Sequence, residues 1–129
     1  MVGGMAEDGA PRWLVVDGYE DEPAAFGVPP YVGFHVRYLC GVLEAHGLPY
    51  DYLTVDAWRA LGRQGEDAQR AMLDGRAGLA LLAGAVVPGK YLRATPISLP
   101  ETKSLLRMLP AEVPAVLGGW AIRGWRHQG

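Results

Sequence analysis

The sequence predicts an α/β domain of three layers, with helices on both faces of a doubly wound, mainly parallel sheet of four or more strands in the order 2-1-3-4. Three observations carry that expectation. Two short runs, Trp13-Leu14-Val15-Val16 and Leu79-Ala80-Leu81-Leu82-Ala83, are apolar at every position. Such runs suit strands buried on both faces, as in a parallel sheet. Segments with helical spacing separate the strand-like runs, and a repeated strand-helix order builds a parallel sheet with right-handed crossovers. The 129 residues, half apolar and a fifth charged, are enough for one domain with a real core.

Residues 13–17 read as the first strand, ended by Asp17-Gly18. A long connection over residues 17–31 follows, several times the usual strand-to-helix length. Residues 33–47 read as the first helix, with Val36, Leu39, Cys40 and Leu43 on the core side and Arg37 and Glu44 opposite. Gly47 suits the position just past the helix end, with Pro49 beyond it. Residues 50–55 alternate and are partly polar, so the second strand is expected near an edge.

Asp56 is expected to cap the next helical stretch. Between Asp56 and Asp74 the pattern is interrupted: Trp58 and Leu61 make one apolar turn, Gly62 and Gly65 intervene, and Ala68, Ala71 and Met72 resume. One broken helix or two short ones fit. Residues 79–84 form the third strand, central and rich in small residues, and a second long connection runs to Ile97. Ser98 and Glu101 have capping-box spacing with Pro100 in the first turn. The helix they open runs to about Leu109 and buries Thr102, Leu105, Leu106 and Leu109. Residues 115–119 form the fourth strand. Trp120, Trp125, Arg123 and Arg126 follow it, and they either fold back over the sheet, meet a partner or belong to an architecture that continues.

A formal charge of -2 gives no electrostatic case for nucleic acid. The single Cys40 excludes an internal disulfide and a thiolate metal site, and fits a cytoplasmic protein. No apolar run approaches the ~20 residues of a membrane helix. Residues 1–11 carry Glu7 and Asp8 and read as a flexible lead-in rather than a signal peptide, leaving 12–129 as the domain.

In the order 2-1-3-4 the first and third strands are neighbours whose helices leave on opposite faces. That crevice is where open α/β sheets bind ligands. The connections starting at Asp17-Gly18 and at Gly84 both open there. Asp17 is placed to bind a polar group or a metal, or else serves as the turn former before Gly18. Glu20, Asp21 and Glu22 either hold a hard cation or make a solvated loop face. Pro29-Pro30 stiffens a loop that presents Phe26, Val28 and Tyr31 to a flat ligand or partner, or packs on its own sheet. Gly89-Lys90 is followed by Tyr91, not Ser or Thr, and is no phosphate loop. His35, His46 and His127 lack ligand spacing, Ser98 is a helix cap rather than a nucleophile, and Cys40 lies on the apolar helix face.

Several blocks resemble a known family. They are Val16-Asp17-Gly18-Tyr19, Asp21-Glu22-Pro23-Ala24, Gly27-Val28-Pro29-Pro30-Tyr31, Pro88-Gly89-Lys90-Tyr91-Leu92 before Thr95-Pro96, and Leu117-Gly118-Gly119-Trp120-Ala121-Ile122-Arg123. In order and spacing they resemble the amino-terminal, cobalamin-binding-type domain of radical S-adenosylmethionine (radical SAM) proteins, a Rossmann-like, flavodoxin-like module. The resemblance implies a corrin over Tyr19, Gly27, Val28, Pro29, Pro30, Tyr31, Val87, Pro88, Gly89, Lys90, Tyr91, Gly118, Gly119 and Trp120, with Asp17, Gly18 and Gly84 at the strand ends beneath.

In that family a barrel with a cysteine triplet and a 4Fe-4S cluster follows this module. One cysteine cannot hold that cluster, and the Asp-x-His-x-x-Gly cobalamin motif is absent. The resemblance therefore implies a module without catalysis of its own, a fragment or split subunit that binds cobalamin or docks on a radical SAM catalytic domain or subunit. A free-standing nucleotide binder or small enzyme, and a structural docking domain, are the other expectations.

Overall fold

The two all-apolar runs are the two central strands. The computed structural model describes residues 10–18, 34–83 and 96–119. The elements within them are β1 (Trp13–Gly18), α1 (Phe34–Ala45), β2 (Tyr50–Thr54), α2 (Val55–Gln64), α3 (Glu66–Leu73), β3 (Gly78–Ala83), α4 (Leu99–Met108) and β4 (Ala115–Gly118). The sheet order is β2-β1-β3-β4 and every pairing is parallel. The expected order and the edge position of the second strand are both observed.

Side-chain alternation sends the central strands to two separate cores. Leu14 and Val16 of β1 join Leu79, Leu81 and Ala83 of β3 on one face. There they meet Val55 and Trp58 of α2, Leu73 of α3, Leu105 of α4, and Ile97. Val15, Ala80 and Leu82 point the other way and meet Val36 and Leu43 of α1. This is the three-layer, doubly wound arrangement. Each large side chain buried this way contributes roughly 1.5–3 kcal/mol.

In α1, Val36 and Leu43 are buried, Leu39 and Cys40 pack at the rim of the same core, and Arg37 and Glu44 are exposed. Gly47 closes the helix with φ +66. Its N–H donates to the Glu44 carbonyl at 3.0 Å, and that of Leu48 to the Leu43 carbonyl at 2.8 Å.

The interrupted stretch is two helices that break at Gly65. Its first cap is Thr54, not Asp56: Thr54 Oγ1 accepts from the Ala57 N–H at 3.1 Å. β2 passes into α2 with no linker, so Asp56 already lies in the first turn, where its charge suits the helix dipole. The buried anchor of α3 is Leu73, and Ala71 is exposed. The break at Gly65 restarts the helical phase, so the pattern cannot be carried across it.

The capping box of α4 is present, with Glu101 N–H donating to Ser98 Oγ at 3.2 Å and Ser98 N–H to Glu101 Oε1 at 3.0 Å. Thr102 and Leu105 are buried, and Leu106 and Leu109 pack at the core's margin. No helix among the described residues is long and apolar enough to cross a membrane.

Candidate functional site

Parallel pairing brings the carboxyl ends of β1 and β3 side by side, with Asp17 opposite Leu82 and Gly18 opposite Ala83. Asp17 shares the α1 face with Val15 and Leu82 and is only 4% exposed. A buried carboxylate requires hydrogen-bond donors. One is the Tyr52 hydroxyl, which donates to Asp17 Oδ2. The register explains the meeting: Thr54 lies opposite Asp17, and Tyr52 is two residues back on the same face of β2.

Gly18 is next. A Cβ there would sit 2.5 Å from Ile97 Cγ2 and 2.5 Å from the Leu82 carbonyl oxygen. Ile97 is held close because its N–H donates to the Gly18 carbonyl at 3.0 Å. Arg59 of α2 fixes the same region from outside, donating to the Pro96 carbonyl at 3.2 Å and gripping both Glu101 oxygens at 2.7 and 2.8 Å. These bonds hold the Glu101 carboxyl down at about 2, with burial opposing them.

At the end of β4, Gly119 has φ +96, and a Cβ on it would run into the Ala83 backbone. Gly118 rests against Leu82, whose Cδ2 lies 2.8 Å from where its Cβ would be. Gly18 and Gly119 are thus required by the close approach of backbone at the strand ends, whereas Gly118 meets only the tip of the Leu82 side chain.

Further along the α1 face, Tyr50 donates to Glu44 Oε1 at 2.6 Å, which pushes its phenol well above the ordinary range. Burial likewise raises the Cys40 thiol, with a Tyr50 hydrogen bond opposing. A raised thiol is a poor nucleophile at neutral pH, so Cys40 behaves as core. Among the described residues no group of three or more His, Cys, Asp or Glu could hold a metal ion.

The structure therefore brings Asp17, Gly18, Gly118 and Gly119 to one edge of the sheet. Tyr19, Gly27, Val28, Pro29, Pro30, Tyr31, Gly84, Val87, Pro88, Gly89, Lys90, Tyr91 and Trp120 lie outside the described residues. Tyr52 and Ile97 are the rim residues that sequence reasoning missed. Alternation in β2 combined with the order 2-1-3 would have pointed to Tyr52.

The chain resembles a short part of much longer archaeal proteins. It is 40% identical over 95 residues, 74% of its length, to an uncharacterized protein of Methanocaldococcus jannaschii. It is 38% identical over 91 residues, 70% of its length, to an uncharacterized protein of Archaeoglobus fulgidus. In each case the match spans 16% of the relative. No family model and no solved structure matches the chain.

Proposed function

We propose that the chain is a non-catalytic α/β module of a radical SAM-type enzyme system, carrying cobalamin at the carboxyl edge of its sheet for a catalytic barrel in the same or a partner polypeptide. The observation that carries this reading is the crossing point between β1 and β3, from whose ends both long connections depart. The much greater length of the archaeal relatives supports a module within a larger protein.

The described residues fit a corrin in their donor set. A corrin is fringed by amides, and the Asp17 carboxylate would accept from such an amide N–H in competition with the Tyr52 hydroxyl, which already donates to it. Bound cobalamin would supply the cobalt chemistry. This chain's residues would seat the ring and orient it. His46 follows the end of α1, beside the turn into the start of β2 and away from Asp17, so it is not placed to ligate cobalt there.

Titration of the 129-residue chain with hydroxocobalamin tests the reading. A shift in the visible spectrum and about one corrin retained per chain through gel filtration are expected. An unchanged spectrum with no retained corrin overturns the cofactor assignment. Stabilisation by nucleotides in a parallel thermal-shift screen would favour a nucleotide binder instead.

A further inference from the structure

Helix α1 has two apolar sides. The inner one, Val36 and Leu43, is buried against Val15, Ala80 and Leu82. The outer one carries Tyr38, Gly41, Val42 and Ala45, all exposed, with Tyr38 at 69% and Val42 at 37%. These four positions have the i, i+3, i+4, i+7 spacing of a single helix face. A surface helix ordinarily turns charged and polar residues outward. This one presents none with a charge along that line.

Gly41 lies in the middle of the outer face. A Cβ there would meet nothing within 4 Å, so the fold of one chain does not require glycine at this position. Glycine also weakens a helix interior relative to alanine. It suits a face on which a second helix comes close, because side chains at the contact set the distance between packed helices.

The neighbouring charges select the occupant. Arg37 and Glu44 are both exposed and lie on one flank of the face, about two helical turns apart. Tyr50 takes only Oε1 of Glu44. In two antiparallel helices related by a two-fold axis, like flanks adjoin. An axis level with Cys40 and Gly41 then sets Arg37 of each copy opposite Glu44 of the other, so one attraction is made twice. The same axis brings the two Gly41 residues together and opposes the helix dipoles.

We infer that α1 docks on α1 of a second copy of this chain, antiparallel about a two-fold axis beside Gly41, with Tyr38, Val42 and Ala45 covered in the contact. A closed two-fold pairing is the commonest self-association of soluble chains. One helix face approaches the ~1,000 Å² lower limit for specific association, so the dimer is weak, with a dissociation constant on the order of 10–100 μM. The inference does not rest on cobalamin, since the outer side of α1 faces away from the sheet.

Sedimentation velocity of the 129-residue chain, from micromolar to millimolar concentration, tests it. A reversible monomer–dimer equilibrium is expected. Gly41→Leu should weaken it about tenfold or more by holding the helices apart, without loss of thermal stability, because the new side chain enters open space in the single chain. Arg37→Glu should weaken it about tenfold by facing Glu44 with a like charge. Adding Glu44→Arg to Arg37→Glu should bring the dimer back, since opposite charges meet again. A chain that stays monomeric at millimolar concentration overturns the inference. So does a dimer that either Gly41→Leu or Arg37→Glu leaves unchanged, or a folded double variant that dimerises no better than Arg37→Glu alone.

Discussion

The Ile97 N–H donates to the Gly18 carbonyl at 3.0 Å, so the chain that leaves β3 at Ala83 returns to the tip of β1 before α4 begins. The start of one long connection and the end of the other therefore touch. The contact is tight, because a Cβ on Gly18 would meet both Ile97 Cγ2 and the Leu82 carbonyl oxygen at 2.5 Å. Gly18→Ala should destabilise the fold by about 1–3 kcal/mol, the usual cost of overpacking. Adding Ile97→Ala removes only the side-chain clash and leaves the backbone one. The double variant should therefore recover less than half of the Gly18→Ala loss relative to Ile97→Ala alone, as read by urea unfolding.

At the opposite end of the sheet, Arg76 has no exposed side-chain surface and donates to Asp51 Oδ2 at 2.5 Å and to the Met72 carbonyl at 2.8 Å. Arg12 reaches the other Asp51 oxygen at 2.9 Å from a more open position. Removing the shared carboxylate strands a buried guanidinium, whereas removing Arg12 leaves the pair intact. Asp51→Ala should cost about 3 kcal/mol. Arg12→Ala should cost about 1 kcal/mol or less. Equal losses in urea melts would mean that the three charges act as one surface network.

Architecture was legible because Leu14–Val16 and Leu79–Ala83 carry their burial in composition alone, and because Gly47, Ser98 and Glu101 are local signals with local consequences. The cap of α2 was misplaced since nothing in Thr54-Val55-Asp56 shows that strand and helix abut. Arg76 reads as a surface residue until the fold brings Asp51 to it across 25 positions. The same holds for Tyr52 and Asp17, 35 apart, and for Gly18 and Ile97. At the candidate site, Asp17 and Gly18 were named for their place at a strand end, but their partners come from other strands and connections. Such partners are set by register, which a single strand's sequence does not encode.

The Arg59 and Glu101 pair sets a pH dependence. Glu101 falls from its ordinary 4.5 to about 2 in the folded chain, chiefly through its bonds to Arg59. A carboxyl depressed on folding contributes stability above its unfolded value and loses it as pH falls toward the folded one. The contribution should be complete above about pH 4.5 and vanish between there and pH 2. The two side chains keep 24% and 30% of their surface, so solvent screening trims the effect to about 1–2 kcal/mol. Asp51 is depressed too: burial alone would raise it, but Arg76 and Arg12 outweigh that. Glu101→Gln should therefore flatten part of the acid limb of stability against pH and leave the remainder, which urea melts from pH 2 to 7 would resolve.

The Tyr52 hydroxyl and the Asp17 carboxylate are joined across two strands, with Asp17 buried and Tyr52 40% exposed. A hydrogen bond to a charged acceptor is worth roughly 1.5–3 kcal/mol. Tyr52→Phe should lose about that much, and a double-mutant cycle with Asp17→Asn should show coupling, since an amide is the weaker acceptor. The same pair also ranks the ligand readings. If cobalamin uses Asp17 as an acceptor for its amides, the phenol competes for the same oxygens. Tyr52→Phe should then bind hydroxocobalamin as tightly as the parent or more so, while Asp17→Asn weakens it. If both substitutions leave corrin retention unchanged, the ring is held by other residues, and the Asp17 carboxylate serves only to join β1 to β2.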